Sequence, residues 1–124
     1  MTDRIYLHGM IFEGRHGVTD EERELPQQME VDVDLTVDLR AAGESDDVAR
    51  TVDYADVFEV CRRVVEEQSF HLLERIGEAL VGGILGGFPA VDRVAVDVKK
   101  SGPPLAGMLE HAGVHIERTR TGAA

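Results

Sequence analysis

Apolar and polar residues alternate strictly over residues 29–39. Met, Val and Leu occupy every second position, and Glu, Asp and Thr fill the positions between them. A period of two is typical of a β-strand with one buried face, so this segment predicts a long half-buried strand. Residues 4–12 are rich in Ile, Tyr, Leu and Phe and precede a Gly-Arg-His-Gly turn at 14–17. They predict a partner strand, most simply antiparallel to the first.

Two later segments follow the 3.6-residue period of an amphipathic helix. Residues 54–67 present one apolar stripe, formed by Val57, Cys61, Val64 and Val65. Residues 72–86 present a second stripe, formed by Leu73, Ile76, Leu80 and Ile84. Several glycines weaken the end of the second segment, and Pro89 stops it. The sequence therefore predicts two consecutive helices after the first two strands.

Short alternating segments end the chain. Residues 94–98 place three valines on one face of a third predicted strand. The same alternation puts Lys100 on that apolar face, where a lysine is unusual. Residues 113–118 predict a fourth strand, with Val114 and Ile116 facing inward.

The predicted element order is β-β-α-α-β-β, which is typical of the α+β class. We expect one four-stranded antiparallel sheet with both helices on one of its faces. An open sheet of this kind has exposed edges, which proteins commonly protect by pairing or closure. The pattern therefore predicts assembly with other copies of the chain.

Length and charge narrow the class of protein. The 124 residues suit a single domain, predicted over residues 1–120, with residues 121–124 as a loose tail. A net charge of −11 has the wrong sign for binding nucleic acid or an anionic membrane surface. No apolar run reaches the roughly 18 to 20 residues of a membrane span, and the N-terminus lacks a secretory signal pattern. We therefore expect a cytoplasmic protein with neither nucleic acid nor membrane as a partner.

The cysteine and the histidines indicate no metal site. Cys61 is the single cysteine of the chain, so it cannot form an internal disulfide, and its place in a helical stripe predicts a buried residue. No mutual spacing that is typical of zinc ligands is found among His8, His71, His111 and His115. His16 lies between two glycines, where local hydrogen bonding in a turn is expected rather than general-base or metal chemistry.

Four separated segments of the chain resemble the dihydroneopterin aldolase family. They are Leu-His-Gly-Met at 7–10 with His-Gly-Val at 16–18 and Glu22; Ser-Asp-Asp at 45–47 with Thr-Val-Asp-Tyr at 51–54; Leu-Leu-Glu at 72–74; and Val-Lys-Lys at 98–100 with the prolines at 103–104. Each segment alone is a weak motif, but their order and spacing together are specific. The resemblance implies the tunnelling fold, in which the sheets of several subunits join into a barrel. It also implies a homo-oligomer, a tetramer or an octamer, with active sites between neighbouring subunits.

The resemblance also implies a reaction. The family cleaves 7,8-dihydroneopterin by a retro-aldol step to 6-hydroxymethyl-7,8-dihydropterin and glycolaldehyde, in tetrahydrofolate biosynthesis. Epimerisation of 7,8-dihydroneopterin is an expected side activity. The C=N group of the pterin accepts the electrons of the broken bond, so no Schiff base, metal or cofactor is implied. The protein has only to bind the ring and move protons.

Three residues match the main functional positions of the family. Glu74 corresponds to the glutamate that anchors the ring, accepting hydrogen bonds from a pterin amide N–H and the neighbouring amino group. Its place near a helix start also suits a carboxylate that stabilises the helix. Lys100 corresponds to the catalytic lysine that transfers protons. Tyr54 corresponds to the tyrosine that orients the reactive water and hydroxyl from a neighbouring subunit. The sequence alone favours a different role for it, as an amphipathic residue that caps the first helix.

Four further residues match positions around the pocket. Glu22 corresponds to a second glutamate near the polar chain of the substrate, whereas its charged neighbours alone predict a solvated side chain. The resemblance also implies that the wall of the pocket and backbone hydrogen bonds to the ring are provided by Val52, Asp53 and Leu73.

Three alternatives stay open at this point. Related tunnelling-fold enzymes epimerise dihydroneopterin triphosphate, which favours a basic pocket, and Arg15 is one candidate for it. A non-catalytic ring that binds pterin, or that serves only structure, would use the same residues for assembly. Oxygen-dependent cleavage to a 7,8-dihydroxanthopterin-type product is a third alternative.

Overall fold

Four strands and two long helices make up most of the part of the chain that this computed structural model describes, residues 3–102 and 105–120. The elements in chain order are β1 (Arg4–Gly14), α1 (Asp20–Glu24), β2 (Gln27–Thr36), α2 (Arg40–Ser45), a 3-10 turn (Val48–Arg50), α3 (Tyr54–Glu67), α4 (Leu73–Gly87), β3 (Arg93–Ser101) and β4 (His111–Thr119). The two long helices begin and end within one residue of the predicted bounds. The tail predicted at 121–124 lies outside the described residues.

The strands form one antiparallel sheet in the order β1-β2-β3-β4. Helix α3 packs on β1, and α4 packs on β3, β4 and α3. The alternating apolar residues of β2 and β3 are fully buried beneath these helices. The predicted α+β class, the element order and the position of both helices on one face are therefore confirmed. Among the described helices, none is long and apolar enough to cross a membrane.

A bulge at Gly9 allows β1 to contribute to the core along its whole length. Gly9 has φ +74°, and the pairing register with β2 shifts between Leu7 and Met10. The Gly9 N–H donates to Asp32 Oδ1 at 2.6 Å instead of joining the ladder. Because one extra residue reverses the alternation, odd-numbered residues before the bulge and even-numbered residues after it pack on the same core.

The second strand is shorter than the alternating pattern predicts. The alternation continues to Leu39, but β2 ends at Thr36 and a short helix, α2, begins at Arg40. The ladder stops because both neighbours end at this level: Thr36 pairs with Arg4 on one side and Arg93 on the other. Val37 is nevertheless buried, so the apolar pattern reports burial beyond the end of the strand.

Helix α1 is absent from the sequence prediction. It has five residues, which is too short for a helical period to be recognised. A capping box starts it: the Thr19 side chain accepts from the Glu22 N–H, and the Glu22 carboxylate accepts from the Thr19 N–H. The turn after β1 therefore leads into a helix that directs Glu22 towards the sheet.

Ion pairs occupy the face of the sheet that is turned away from the helices. Lys99 Nζ lies 3.1 Å from a Glu30 carboxylate oxygen and 3.2 Å from one of Asp32. On the neighbouring strand, His115 Nδ1 lies 2.9 Å from an Asp97 carboxylate oxygen. Lys99 and Lys100 therefore have opposite surroundings, although they are adjacent in the sequence.

Arg120, which follows β4, fastens this strand to the end of α4 and to the loop before β3. Its guanidinium donates to the carbonyl oxygens of Leu85 at 3.0 Å, Phe88 at 2.9 Å and Val91 at 2.6 Å. Carbonyls in the last turn of a helix lack intrahelical partners, so a cation placed there satisfies them and interacts favourably with the helix dipole.

We expect Arg120→Met to lower the free energy of unfolding by about 1–2 kcal/mol, because hydrogen bonds to these carbonyls are lost at an exposed site. Urea unfolding followed by circular dichroism measures this change. An unchanged midpoint and slope would contradict the role assigned to Arg120.

Candidate active site

An open pocket of about 360 Å³ lies between the turn after β1, the first turn of α4 and the adjoining ends of β3 and β4. Its walls are formed by His16, Gly17, Val18, Thr19, Glu22, His71, Leu72, Leu73, Glu74, Lys100, Leu105 and Ala112. Four of the residues predicted for the site, Glu22, Leu73, Glu74 and Lys100, therefore share one pocket.

Lys100 reaches this pocket from the buried face of β3. It is 6% exposed and pairs across the sheet with Met29 and Ala112, so the inward direction predicted from alternation is confirmed. The Lys100 ammonium donates to the His16 carbonyl oxygen at 3.1 Å and forms an ion pair with the Glu22 carboxylate. These two acceptors compensate for the burial of the Lys100 amine.

Glu22 is held from two sides. Its Oε1 accepts from the Thr19 N–H at 3.3 Å and from the Thr19 hydroxyl at 3.1 Å, while Oε2 receives Lys100. The side chain is 16% exposed, which corrects the solvated position that its charged neighbours predict. The hydrogen bond from Lys100 holds the pKa of the Glu22 carboxyl below its ordinary value. Gly17 makes room for this arrangement, because a Cβ there would lie 2.7 Å from Glu22 Cδ.

Glu74 faces the same pocket from the first turn of α4. Leu72 precedes this helix and provides no side-chain cap. Within residues 3–102 and 105–120, no hydrogen bond or ion pair engages the Glu74 carboxylate. The first N–H groups of a helix lack intrahelical partners, and together with the helix dipole they favour a negative charge here. The carboxylate is consequently available to a ligand that offers two adjacent N–H donors.

His16 has the local hydrogen-bonding role predicted for it. Its Nε2 lies 2.8 Å from the Val65 carbonyl oxygen, and its Nδ1 accepts from the Phe70 N–H at 3.0 Å. Burial lowers the pKa of the imidazole, outweighing the opposing effect of the Val65 hydrogen bond, and the charge of Lys100 lowers it further. No sequence pattern predicts that the main-chain carbonyl of His16 accepts from Lys100, because that contact joins residues 84 positions apart.

The other three predicted site residues lie elsewhere. Tyr54 is the first residue of α3 and is 66% exposed, and Asp53 is the N-cap whose carboxylate accepts from the Ala55 N–H at 2.9 Å. The pocket adjoins the other end of α3, where His16 contacts Val65. Eleven helical residues span roughly 16 Å, so Tyr54 cannot reach the pocket of its own chain. Val52 and Asp53 line a separate depression beside the C-terminus of α4.

Cys61 and the metal-ligating residue types are further candidates for a second site. Cys61 is fully buried in α3, as predicted, and burial raises the pKa of its thiol to about 12, so it stays protonated near neutral pH. In the described ranges, no group of three or more His, Cys, Asp or Glu side chains is arranged to hold a metal ion.

The fold and the pocket together define a class of protein: a small α+β domain whose site combines a free carboxylate with a buried lysine-glutamate pair, suited to acid-base chemistry on a small molecule. The sequence profile of the family described as "FolB: Dihydroneopterin aldolase" matches residues 5–117. The dihydroneopterin aldolase of Bacillus subtilis is 37% identical over 119 residues, which cover 96% of this chain and 99% of that protein. The chain belongs to the dihydroneopterin aldolase family.

Solved structures agree with this membership. The Escherichia coli dihydroneopterin aldolase in complex with neopterin superposes with a TM-score of 0.87 at 31% identity, covering 94% of this chain and 99% of that one. Urate oxidase from Bacillus subtilis superposes with a TM-score of 0.72 at 16% identity, covering 98% of this chain and 48% of that one, and shows the fold alone. The single chain therefore has the β-β-α-α-β-β subunit architecture of the tunnelling fold that the sequence resemblance implies.

Proposed function

We propose that this protein cleaves 7,8-dihydroneopterin by a retro-aldol reaction to 6-hydroxymethyl-7,8-dihydropterin and glycolaldehyde, a step of tetrahydrofolate biosynthesis. The observation that carries the proposal is the shared pocket of Glu74 and Lys100. Glu74 offers a free carboxylate to the pterin ring, and Lys100 offers a buried amine to the atoms that react. Membership of the family supports the same reaction.

Ring binding follows from the free carboxylate of Glu74. A pterin presents an amide N–H and an exocyclic amino group side by side, and two carboxylate oxygens can accept these two donors in parallel. Hydrogen bonds to an ionised acceptor are roughly twice as strong as neutral ones, so this pair fixes the position and the direction of the ring. Leu73 and Leu72 provide apolar wall beside Glu74.

Proton transfer is assigned to Lys100. Cleavage removes the proton of the hydroxyl on the second side-chain carbon, forms a C=O bond there and breaks the bond to the first side-chain carbon. The electron pair of that bond moves into the C=N group of the ring, and the first carbon finally receives a proton. The neutral amine of Lys100, directly or through water, accepts the hydroxyl proton, and the ammonium that results returns a proton to the first carbon.

Glu22 supports this role of Lys100. Its Oε2 holds the ammonium at the pocket wall, while Thr19 fixes its Oε1. A substrate hydroxyl that enters between Lys100 and Glu22 would exchange one hydrogen bond for another. We therefore assign Glu22 to the polar chain of the substrate and not to the ring.

Tyr54 completes the site from another subunit in this proposal. Tyr54 is too far from the pocket of its own chain, so we assign it to the pocket of a neighbouring copy. Val52 and Asp53 lie beside Tyr54 and would form part of the wall of that same pocket. Within the described ranges, β1 and β4 each pair on one side only, so both edges are available to further copies. A homo-oligomeric barrel, as a tetramer or an octamer, would join these edges and place the two half-sites together.

Mixing two inactive variants tests the shared site. We expect Lys100→Met and Tyr54→Phe each to lose most activity and their mixed oligomers to recover about a quarter of the wild-type sites, since half of the pockets keep Lys100 and half of their neighbours keep Tyr54. Activity is measured after the two chains are unfolded and refolded together.

The matched control mixes Lys100→Met with Glu74→Ala. These residues belong to one pocket of one chain, so no mixed site contains both and no activity should return. If the Lys100→Met and Tyr54→Phe mixture also stays inactive, Tyr54 does not act across subunits.

The reaction itself is tested by incubating the protein with 7,8-dihydroneopterin, separating the pterin products and assaying glycolaldehyde. We expect 6-hydroxymethyl-7,8-dihydropterin and glycolaldehyde in equal amounts, with some epimer. If a 7,8-dihydroxanthopterin-type product forms and its formation requires oxygen, the protein is an oxygenase and the aldolase assignment is wrong. Unchanged substrate would favour the non-catalytic ring.

Dihydroneopterin triphosphate is the comparison substrate. Its phosphates require cations, and Arg15, the candidate from the sequence, is exposed and donates to the Glu24 carbonyl oxygen at 2.6 Å. We therefore expect faster turnover of the substrate without phosphates. The reverse preference would favour the epimerase.

A further inference from the structure

His16 has a place in the site that its local hydrogen bonds do not explain by themselves. His16 and Lys100 are the two polar or charged side chains of the described ranges that are buried, and His16 is 1% exposed. Their contact is made by the main chain of His16, since its carbonyl oxygen accepts from the Lys100 ammonium at 3.1 Å. The position of the imidazole therefore determines the position of an acceptor of Lys100.

The hydrogen bonds of the ring define its tautomer. A backbone N–H can only donate, so Nδ1, which lies 3.0 Å from the Phe70 nitrogen, carries no proton. Nε2 consequently carries the proton and donates it to the Val65 carbonyl oxygen at 2.8 Å. A proton on both nitrogens would remove the acceptor of the Phe70 N–H. The neutral imidazole therefore satisfies both hydrogen-bond partners, whereas the imidazolium does not.

The ring joins three parts of the structure. Val65 belongs to the last turn of α3, whose carbonyls lack intrahelical partners. Phe70 belongs to the connection between α3 and α4; its ring stacks on the imidazole, and its carbonyl oxygen accepts from the Gly17 N–H at 3.0 Å. Gly14 leaves room for the imidazole, because a Cβ there would lie 2.6 Å from His16 Cδ2. The main chain on both sides of the His16 carbonyl is thereby fixed.

We propose that His16 is a positioning residue: the neutral imidazole, held between the Val65 carbonyl and the Phe70 N–H, fixes the main-chain oxygen that holds the Lys100 ammonium, and so aligns the amine for proton transfer. This inference rests on the proposed function, because alignment has meaning only where Lys100 moves protons. His16 itself exchanges no proton with the substrate. Loss of the ring should release Lys100 without affecting Glu74, which belongs to α4.

Three substitutions separate the two hydrogen bonds of the ring. His16→Phe keeps a ring that can stack on Phe70 and removes both bonds. His16→Asn places an amide oxygen near the position of Nδ1 and can keep the bond to the Phe70 N–H. His16→Gln places an amide nitrogen near the position of Nε2 and can keep the bond to Val65. Arg120→Met serves as the control for simple loss of stability, because Arg120 acts at the end of α4 away from the pocket.

The expected kinetic result is a decrease in kcat with little change in KM. Misplacement of a catalytic group by about 1 Å can cost roughly 10²-fold, so we expect His16→Phe to lower kcat by about 10- to 100-fold. His16→Asn and His16→Gln should fall between it and the wild type. Arg120→Met, compared well below its unfolding temperature, should keep the wild-type kcat. If His16→Phe and Arg120→Met have equal kcat values, His16 contributes only to stability and the inference is wrong.

A second measurement does not depend on aldolase activity. Trinitrobenzenesulfonate labels lysine amines, and peptide mass spectrometry compares Lys100 with the adjacent Lys99 in the same molecule. We expect the labelling rate of Lys100 relative to Lys99 to rise several-fold in His16→Phe and to stay unchanged in Arg120→Met. If the wild type releases no glycolaldehyde, the proposed function fails, while an increase in Lys100 labelling would still show that His16 holds the amine. An unchanged labelling ratio in His16→Phe contradicts the positioning role whatever the enzyme does.

Discussion

Replacing Lys100 with methionine is expected to lower kcat for glycolaldehyde release by about 10²- to 10⁴-fold, the range that a positioned acid-base group contributes. Pterin affinity should stay close to that of the wild type, because Glu74 and not Lys100 is assigned to the ring. Methionine has a similar length and leaves the apolar side of the pocket filled. Steady-state kinetics gives kcat, and equilibrium titration of a pterin that is not cleaved, such as neopterin, gives the affinity.

Lys99→Met is the matched control for this experiment. Lys99 is the adjacent residue of β3, but it lies on the opposite face of the sheet with Glu30 and Asp32. We expect its kcat to remain within about two-fold of the wild type, since these partly exposed ion pairs lie outside the pocket. A wild-type kcat in Lys100→Met would remove Lys100 from the chemistry, and a parallel loss of neopterin binding would assign it to binding instead.

Replacing Glu74 with glutamine is expected to raise the dissociation constant for neopterin by roughly 10²-fold, equivalent to about 3 kcal/mol. Glutamine keeps the size of the side chain but loses the charge and turns one acceptor into a donor, which opposes the pterin N–H groups. KM for 7,8-dihydroneopterin should rise in parallel. Isothermal titration with neopterin measures the change in affinity.

Glu78→Gln controls for the loss of a negative charge from α4. Glu78 lies one turn further along the helix, where it pairs with Arg118 outside the pocket. Its variant should bind neopterin as the wild type does. If Glu74→Gln also binds neopterin normally, the ring is anchored elsewhere and the assignment of Glu74 is wrong.

The inward direction of Lys100 is the sharpest result that the sequence provided. Side chains of a strand alternate between its faces, so three buried valines at 94, 96 and 98 determine the face of the residue at 100. For β1, the composition predicted the strand but not its buried face, because the bulge at Gly9 reverses the alternation. Alternation also predicted a longer β2 than the structure shows, because an apolar residue can be buried beyond the last paired residue.

The composition of the site was less predictable. Glu22 has charged neighbours in the sequence and would be solvated in an isolated helix, but the capping box and Lys100 bring it to the wall of the pocket. No sequence pattern indicates the role of the His16 carbonyl, because every residue has the same main-chain carbonyl group. The separation of Tyr54 from Lys100 depends on the length and direction of α3. The periodicity predicts that α3 is a helix, but it does not predict which end of the helix lies beside the pocket.

The sequence by itself determined the order of the four strands and two long helices, the buried faces of β2, β3, α3 and α4, and the inward lysine. The buried faces and the lysine follow from local periodicities of two and 3.6 residues. The resemblance in four short segments indicated the family. The tertiary structure decided which predicted residues meet: it joined Glu22, Leu73, Glu74 and Lys100 in one pocket and left Val52, Asp53 and Tyr54 at the far end of α3. Local patterns cannot decide this, because contacts between residues tens of positions apart arise only when the sheet and the helices pack.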